Sequence, residues 1–236
     1  MFETTVEAGV CRARRPGARW LVTGPGGGYR DADAAYNVTV PEGFDRTDLA
    51  AYAAARRARA GFDADGPTLL TGVEMRHARG ARLGPVAAVV TAGVSNPARL
   101  PLDPDDGGSP PDGARRLGTV NCLVGTDRSL SDGALATLLG VVVETKAAVL
   151  QSTVGAPGTS TDAVAVGCDP RGDRAAFAGS ATPVGDAARA AVREATRAAL
   201  GARYPDGPPV PADAEHPVST DRRATGFDPT DDFKWD

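Results

Sequence analysis

Lysine, histidine, cysteine and aromatic residues are all scarce in this chain, and each scarcity closes off a class of function. Among 26 basic residues only Lys146 and Lys234 are lysines, and against 30 acidic residues the net charge is −4. A nucleic-acid surface needs clustered, uncompensated cations, so no nucleic-acid partner is expected. The only histidines are His77 and His216, which excludes a three-histidine metal site. The three cysteines, Cys11, Cys122 and Cys168, form no CxxC pair, so neither a zinc site nor a disulfide framework is expected, and a reducing cytoplasm fits. Aromatics make up only 5% of a chain that is 42% hydrophobic, so the core must be built from Ala, Val and Leu. No run of about 20 apolar residues occurs. The most apolar segment, around Leu135–Leu150, is interrupted by Glu144 and Lys146, and no basic start leads into an apolar leader. The chain reads as soluble and cytoplasmic, with no membrane contact.

What is present divides into short strands and two long helices. Val6–Arg15 and Ala18–Thr23 read as strands parted by a Pro16-Gly17 turn, followed by the glycine loop Gly24–Gly28 and a strand over Ala34–Val40. Asp45 or Thr47 is placed to cap a helix reaching Ala60, whose Arg56, Arg57 and Arg59 suit a solvated C-terminal end. Pro67–Val73, Val86–Val94, Gly118–Val124, Ala163–Cys168 and Ala175–Ala178 have strand length and composition, while Leu100–Arg116 reads as a surface excursion. Ser131 caps a helix to Gln151, and Val184–Ala202 forms a second one. From Tyr204, Pro, Asp and Gly dominate and periodicity ends. The expected architecture is α+β: one domain over residues 1–203, a mixed sheet flanked by two long helices, and a disordered tail over 204–236.

The Ser131–Gln151 helix carries an anomaly. At 100° per residue, Leu135, Leu138, Leu139, Val142, Val149 and Leu150 share one face, and Lys146 points into the middle of it. A desolvated ammonium without a partner is costly, so Lys146 must meet a carboxylate or reach outward to water. The opposite stripe, with Gly133, Thr137, Gly140, Glu144, Ala148 and Gln151, is small and polar. It admits a backbone or ligand at close range, and Glu144 there is either an exposed carboxylate or a site residue.

Polar loops supply the remaining candidates. Gly158-Thr159-Ser160-Thr161-Asp162 concentrates hydroxyls and one carboxylate at the start of a strand, without the Lys-Ser/Thr ending of a phosphate-binding loop. The glycine run Gly24–Gly28 lacks the dinucleotide spacing. Ser95 in GVSNP is not a nucleophile elbow, because Pro97 stands where the last glycine belongs, and a Ser-Asn-Pro turn is the simpler reading. A Ser-His-Asp or Cys-His machine would depend on His77 alone.

TAGVSNP (Thr91–Pro97), GTVN (Gly118–Asn121), SLSDGAL, ETKAAVLQ and GTSTDAVAV (Gly158–Val166) occur in one order that resembles the adenosylcobinamide amidohydrolase family of corrinoid salvage. Weaker likeness runs from about Val6 to about Arg203, through DAAYNVTVP and TLLTGV. The resemblance implies hydrolysis of the amide joining aminopropanol to the corrin ring, giving adenosylcobyric acid and 1-amino-2-propanol. The partner it implies is a small-molecule corrinoid. No added cofactor is required, because the substrate carries its own cobalt, and no protein-bound metal is expected.

Amide hydrolysis needs an activated nucleophile, oxyanion stabilisation and a proton for the leaving amine. Glu144 or Asp162 is the candidate general base, and Lys146 the group that pairs with it or polarises the amide oxygen. Ser95, Asn96, Asn121, Thr159 and Thr161 are the substrate-binding candidates, with Asn96, Asn121 or the loop amides facing the oxyanion. A covalent variant would use Ser95, Thr161 or Cys122. The rival readings are a corrinoid-binding protein without catalysis and an amidohydrolase of another substrate.

Overall fold

In chain order the elements are β1 (Glu3–Glu7), β2 (Val10–Val22), β3 (Gly28–Thr39), α1 (Leu49–Arg59), β4 (Thr68–Thr71), a 3-10 turn (Met75–His77), β5 (Arg79–Leu83) and β6 (Val86–Gly93). They continue as β7 (Pro97–Arg99), β8 (Thr119–Thr126), α2 (Asp132–Val154), β9 (Gly158–Thr159), β10 (Ala163–Cys168), α3 (Pro183–Arg203) and β11 (Val218–Ser219). This computed structural model describes residues 2–103, 118–210, 214 and 218–226. Most of the proposed excursion Leu100–Arg116 lies outside the described residues.

The main sheet runs β4-β3-β2-β10-β8-β6-β5, with β1 also paired to β2. β3 and β4 are parallel, as are β8 and β10, and the other pairs are antiparallel. The β8–α2–β10 crossover produces the central parallel pair. β10 is buried along its whole length, as its unbroken apolar run AVAVGC requires of a strand covered on both faces. Val120, Cys122 and Val124 of β8 pack with α2 and α3, while Leu123 joins Trp20, Ala35 and Met75 on the other side. That second side is closed by the sheet's own curl. Asn37 of β3 donates to Thr91 Oγ1 of β6 at 2.9 Å, although β2, β10 and β8 separate those strands in the sheet.

Several elements follow their sequence signals. Ser131 caps α2 by accepting from the Ala134 amide at 3.2 Å, and Gly155 ends that helix at φ 72°. α2 has the length and apolarity of a membrane span, and its apolar face is laid on the sheet. A shorter helix, α1, is present in addition to the two long ones.

Other elements depart from them. Pro16-Gly17 makes no hairpin turn: β2 passes through it with a bulge between Arg14 and Ala18, Gly17 taking φ 70°. The true turn is Ala8-Gly9, between β1 and β2. Neither Asp45 nor Thr47 caps α1, which begins after Asp48 and has no side-chain cap. Arg57 is buried, not solvated: it donates to Thr68 Oγ1 at 2.8 Å and to Asp65 at 2.7 Å. Ala175–Ala178 is not a strand; only an isolated bridge joins Ser129 to Arg174. The charged edge strand β5 and the short strands β7, β9 and β11 carry no periodic signal long enough to read. Within the stretch from Tyr204, the Tyr204 hydroxyl accepts from the Val94 amide at 3.0 Å, and Val218–Ser219 pair with Ala98 and Arg99.

Candidate active site

The ends of several strands meet at one edge of the curled sheet. β8 and β10 begin there with Thr119 and Ala163, β6 ends there at Gly93, and the small sheet β11-β7-β9 lies alongside. Pro97 pairs with Thr159, which brings the Ser95–Pro97 turn against the Gly158–Asp162 loop. Gly118 sits between them, and only glycine fits. A Cβ there would stand 2.7 Å from the Asn96 carbonyl oxygen and 3.0 Å from the Thr159 Cβ.

At the centre of this cluster Lys146 donates to Asp162 Oδ2. The Lys146 and Asp162 side chains are only 7% and 12% exposed. The desolvation problem posed by a lysine on an apolar helix face is therefore met by a carboxylate, not by reaching outward to solvent. Asp162 accepts three further hydrogen bonds: from the Val120 amide at 2.8 Å, the Thr159 amide at 3.1 Å and the Thr159 hydroxyl at 2.5 Å. Its four acceptor positions are filled. Lys146 gives one of its three N–H bonds to Asp162 and meets no other acceptor among the described residues.

Asn96 is 4% exposed, and its Nδ2 is a buried donor with no hydrogen-bond partner among the described residues. Buried amides normally find partners, so a lone donor beside a polar loop marks a place for an acceptor. Ser95, one residue earlier, is exposed. Thr161 is exposed, donates to the Gly118 carbonyl at 2.9 Å and meets Thr119 Oγ1 at 3.0 Å.

Asn121 is fully buried and fully committed. Its Nδ2 donates to Asn37 Oδ1 at 2.9 Å and to the Leu70 carbonyl at 2.8 Å, and its Oδ1 accepts from the Ala163 amide at 3.1 Å. It ties β3, β4 and β10 together immediately after Asp162, with neither N–H left for an oxyanion. Glu144 is not brought to this cluster. It lies on the exposed side of α2 and meets Arg189 of α3 at 3.3 Å.

Burial pushes the Cys122 thiol up to about 12, against the opposing charge of Lys146, so the thiolate nucleophile is suppressed. His77 Nδ1 lies 2.9 Å from the Ala202 carbonyl, and Arg76 Nε donates to its Nε2 at 3.2 Å. With both ring nitrogens engaged away from any Ser, Cys or Asp, no triad forms around it. Among the described residues no group of three or more His, Cys, Asp or Glu side chains is placed to hold a metal ion.

Gly118, Asn37, Thr91 and Thr119 lie within the quoted motifs GTVN, DAAYNVTVP and TAGVSNP but are not among the site candidates of the sequence. Asn37 had a signal: it is the one polar residue inside the buried run Ala34–Val38. The other three become legible only through the pairing of distant strands.

The sequence profile of the adenosylcobinamide amidohydrolase family matches residues 2–208. The chain belongs to the adenosylcobinamide amidohydrolase family. A Halobacterium salinarum protein named adenosylcobinamide amidohydrolase is 52% identical over 232 residues, covering 97% of this chain and 100% of that one. A crystal structure of a Pyrococcus horikoshii OT3 protein aligns at 11% identity with a TM-score of 0.43, covering 84% of this chain and 78% of that one. For an adenosylcobinamide amidohydrolase, the Lys146–Asp162 pair, the Asn96 donor and the threonine-lined loop are the parts that amide chemistry can use.

Proposed function

We propose that this chain hydrolyses adenosylcobinamide at the amide between the aminopropanol group and the corrin propionate arm, releasing adenosylcobyric acid and 1-amino-2-propanol. The observation that carries the assignment of roles is the unpartnered, buried Asn96 Nδ2 in the turn that the Pro97–Thr159 pairing sets against the Asp162 loop.

In this reading Asn96 Nδ2 and a free Lys146 N–H hold the amide oxygen and stabilise it as it becomes an oxyanion. One such donor is worth roughly 3–4 kcal/mol in comparable sites. Asp162 is the base, reached through Thr159, since its own acceptor positions are taken. Water attacks the carbonyl carbon and gives a proton to Thr159 Oγ1, whose own proton passes along its 2.5 Å hydrogen bond to Asp162 Oδ1. The C–N bond then breaks, and the proton returns to the departing amine by the same relay. Thr161 and Ser95, both exposed at the rim, suit contacts to the amide fringe of a corrinoid. Asn121 holds the frame, and Glu144 stands outside the reaction.

The test is incubation of purified protein with adenosylcobinamide at low and high salt, with products resolved by liquid chromatography and mass spectrometry. Adenosylcobyric acid together with free aminopropanol is the expected result. Intact substrate that co-elutes with folded protein would instead favour corrinoid binding without catalysis.

A further inference from the structure

The Gly24–Gly28 loop has two neighbours. At its root, the Thr23 amide donates to the Val164 carbonyl at 3.0 Å and Thr23 Oγ1 accepts from the Val164 amide at 2.9 Å, two residues beyond Asp162. Gly24 then packs on β4, where a Cβ would lie 2.9 Å from Leu69 Cδ2 and 3.4 Å from the Thr68 carbonyl. Beyond it, Pro25 and Gly26 form one wall of a cavity of about 590 Å³ whose opposite wall is the start of α1. That size suits a small organic ligand or a large substituent of one.

The lining chemistry narrows the occupant. Leu49, Ala50, Ala53 and Leu70 supply apolar surface. Arg30 and Arg57 both donate to Asp65, at 2.8 and 2.7 Å, and the Asp65 side chain is 70% exposed. With Asp48 also in the wall, two cations face two carboxylates, so the cavity offers no net positive charge to a phosphate. Instead it presents the Arg30 guanidinium, with Arg57 buried behind it over the Tyr36 ring, an open carboxylate and apolar faces. A neutral heteroaromatic base stacks on guanidinium planes, and a sugar hydroxyl donates to a carboxylate.

We infer that this cavity is a subsite for an adenine nucleoside, and specifically for the cobalt-bound adenosyl group of the substrate whose amide lies at the Asp162 cluster. This rests on the function proposed above. Through Thr23 the loop is tied to β10 two residues beyond Asp162, and by this link nucleoside binding positions the scissile amide.

The experiment compares cleavage of adenosylcobinamide with cleavage of the same corrinoid carrying water in place of the adenosyl group. Wild type is expected to favour the adenosyl form in kcat/KM. Ala50→Trp, which intrudes from an exposed helix position, and Arg30→Ala are each expected to lower kcat/KM for the adenosyl form about tenfold while leaving the aquo form unchanged. Equal wild-type rates on both forms, or parallel losses on both in the variants, overturn the subsite and leave the amidohydrolase reading intact. Wild type that cleaves neither form removes that reading, and the subsite with it. Calorimetric binding of free adenosine that Ala50→Trp abolishes, combined with equal cleavage of both corrinoids, assigns the cavity to a separate nucleoside and overturns its role in the substrate site.

Discussion

Lys146, on the apolar face of α2, is joined to Asp162, in the loop that starts β10, by an ion pair in which neither side chain is more than 12% exposed. Removing one partner leaves the other charge buried alone, at a cost of about 3–5 kcal/mol. Lys146→Met and Asp162→Leu are each expected to lower the thermal midpoint sharply and to abolish hydrolysis. The double variant is expected to recover the cost of the lone charge only, since the Val120 amide and the Thr159 amide and hydroxyl still lose Asp162, and it recovers no activity. A double-mutant cycle read by calorimetry and by product formation checks both halves.

Asn96→Ala separates function from folding. The Asn96 Nδ2 makes no hydrogen bond within the described protein, so its loss strands no partner there. Stability should change by less than about 1 kcal/mol, whereas kcat should fall by roughly 10²–10³ if the amide stabilises the oxyanion. Near-normal turnover in Asn96→Ala would remove it from the mechanism.

Asn121→Ala should show the opposite pattern. It strands the Ala163 amide, the Leu70 carbonyl and Asn37 Oδ1, at about 1–3 kcal/mol for each unsatisfied group. Chemical denaturation is expected to reveal a large loss of stability, with activity falling in step with the folded fraction.

Glu144→Gln should leave kcat and KM close to wild type. Among the described residues its carboxylate pairs with Arg189 on the outer side of α2, and exposed pairs of this kind contribute about 0–1 kcal/mol. A loss of turnover of a hundredfold or more would require the base to be reassigned from Asp162.

Acid sensitivity should centre on Asp169. Its burial acts to raise the carboxyl, but hydrogen bonds from Arg15 and the Arg171 amide prevail and hold it below the usual carboxylate range. A carboxyl lowered on folding contributes stability that is fully present above its unfolded value of about 3.9 and is lost as pH falls through the folded one. Asp169→Asn should therefore destabilise at neutral pH, by about 2 kcal/mol, and flatten the acid limb of the stability profile. Thermal melts between neutral and acidic pH measure this.

Elements whose signals are local are legible in the amino-acid order alone. The Ser131 cap with the leucine face of α2, and the unbroken apolar run of β10, are complete within their own segments because side-chain periodicity reports burial directly. That order also marks Lys146 and the Gly158–Asp162 loop as unusual, since a cation on an apolar face must be compensated. What compensates it, and which candidates share a site, follow from long-range strand pairing. Asp162 reaches Lys146 only because the β8–α2–β10 crossover turns the helix back over its strand. Asn121 spends both its donors on Asn37 and Leu70 only because the sheet curls far enough for β3 and β4 to approach β8. Glu144, two residues from Lys146, is carried to the other side of the same helix by 200° of rotation. Periodicity tells which face is buried; which partner waits on that face is set by strand pairing over long sequence distances, and no local pattern encodes it.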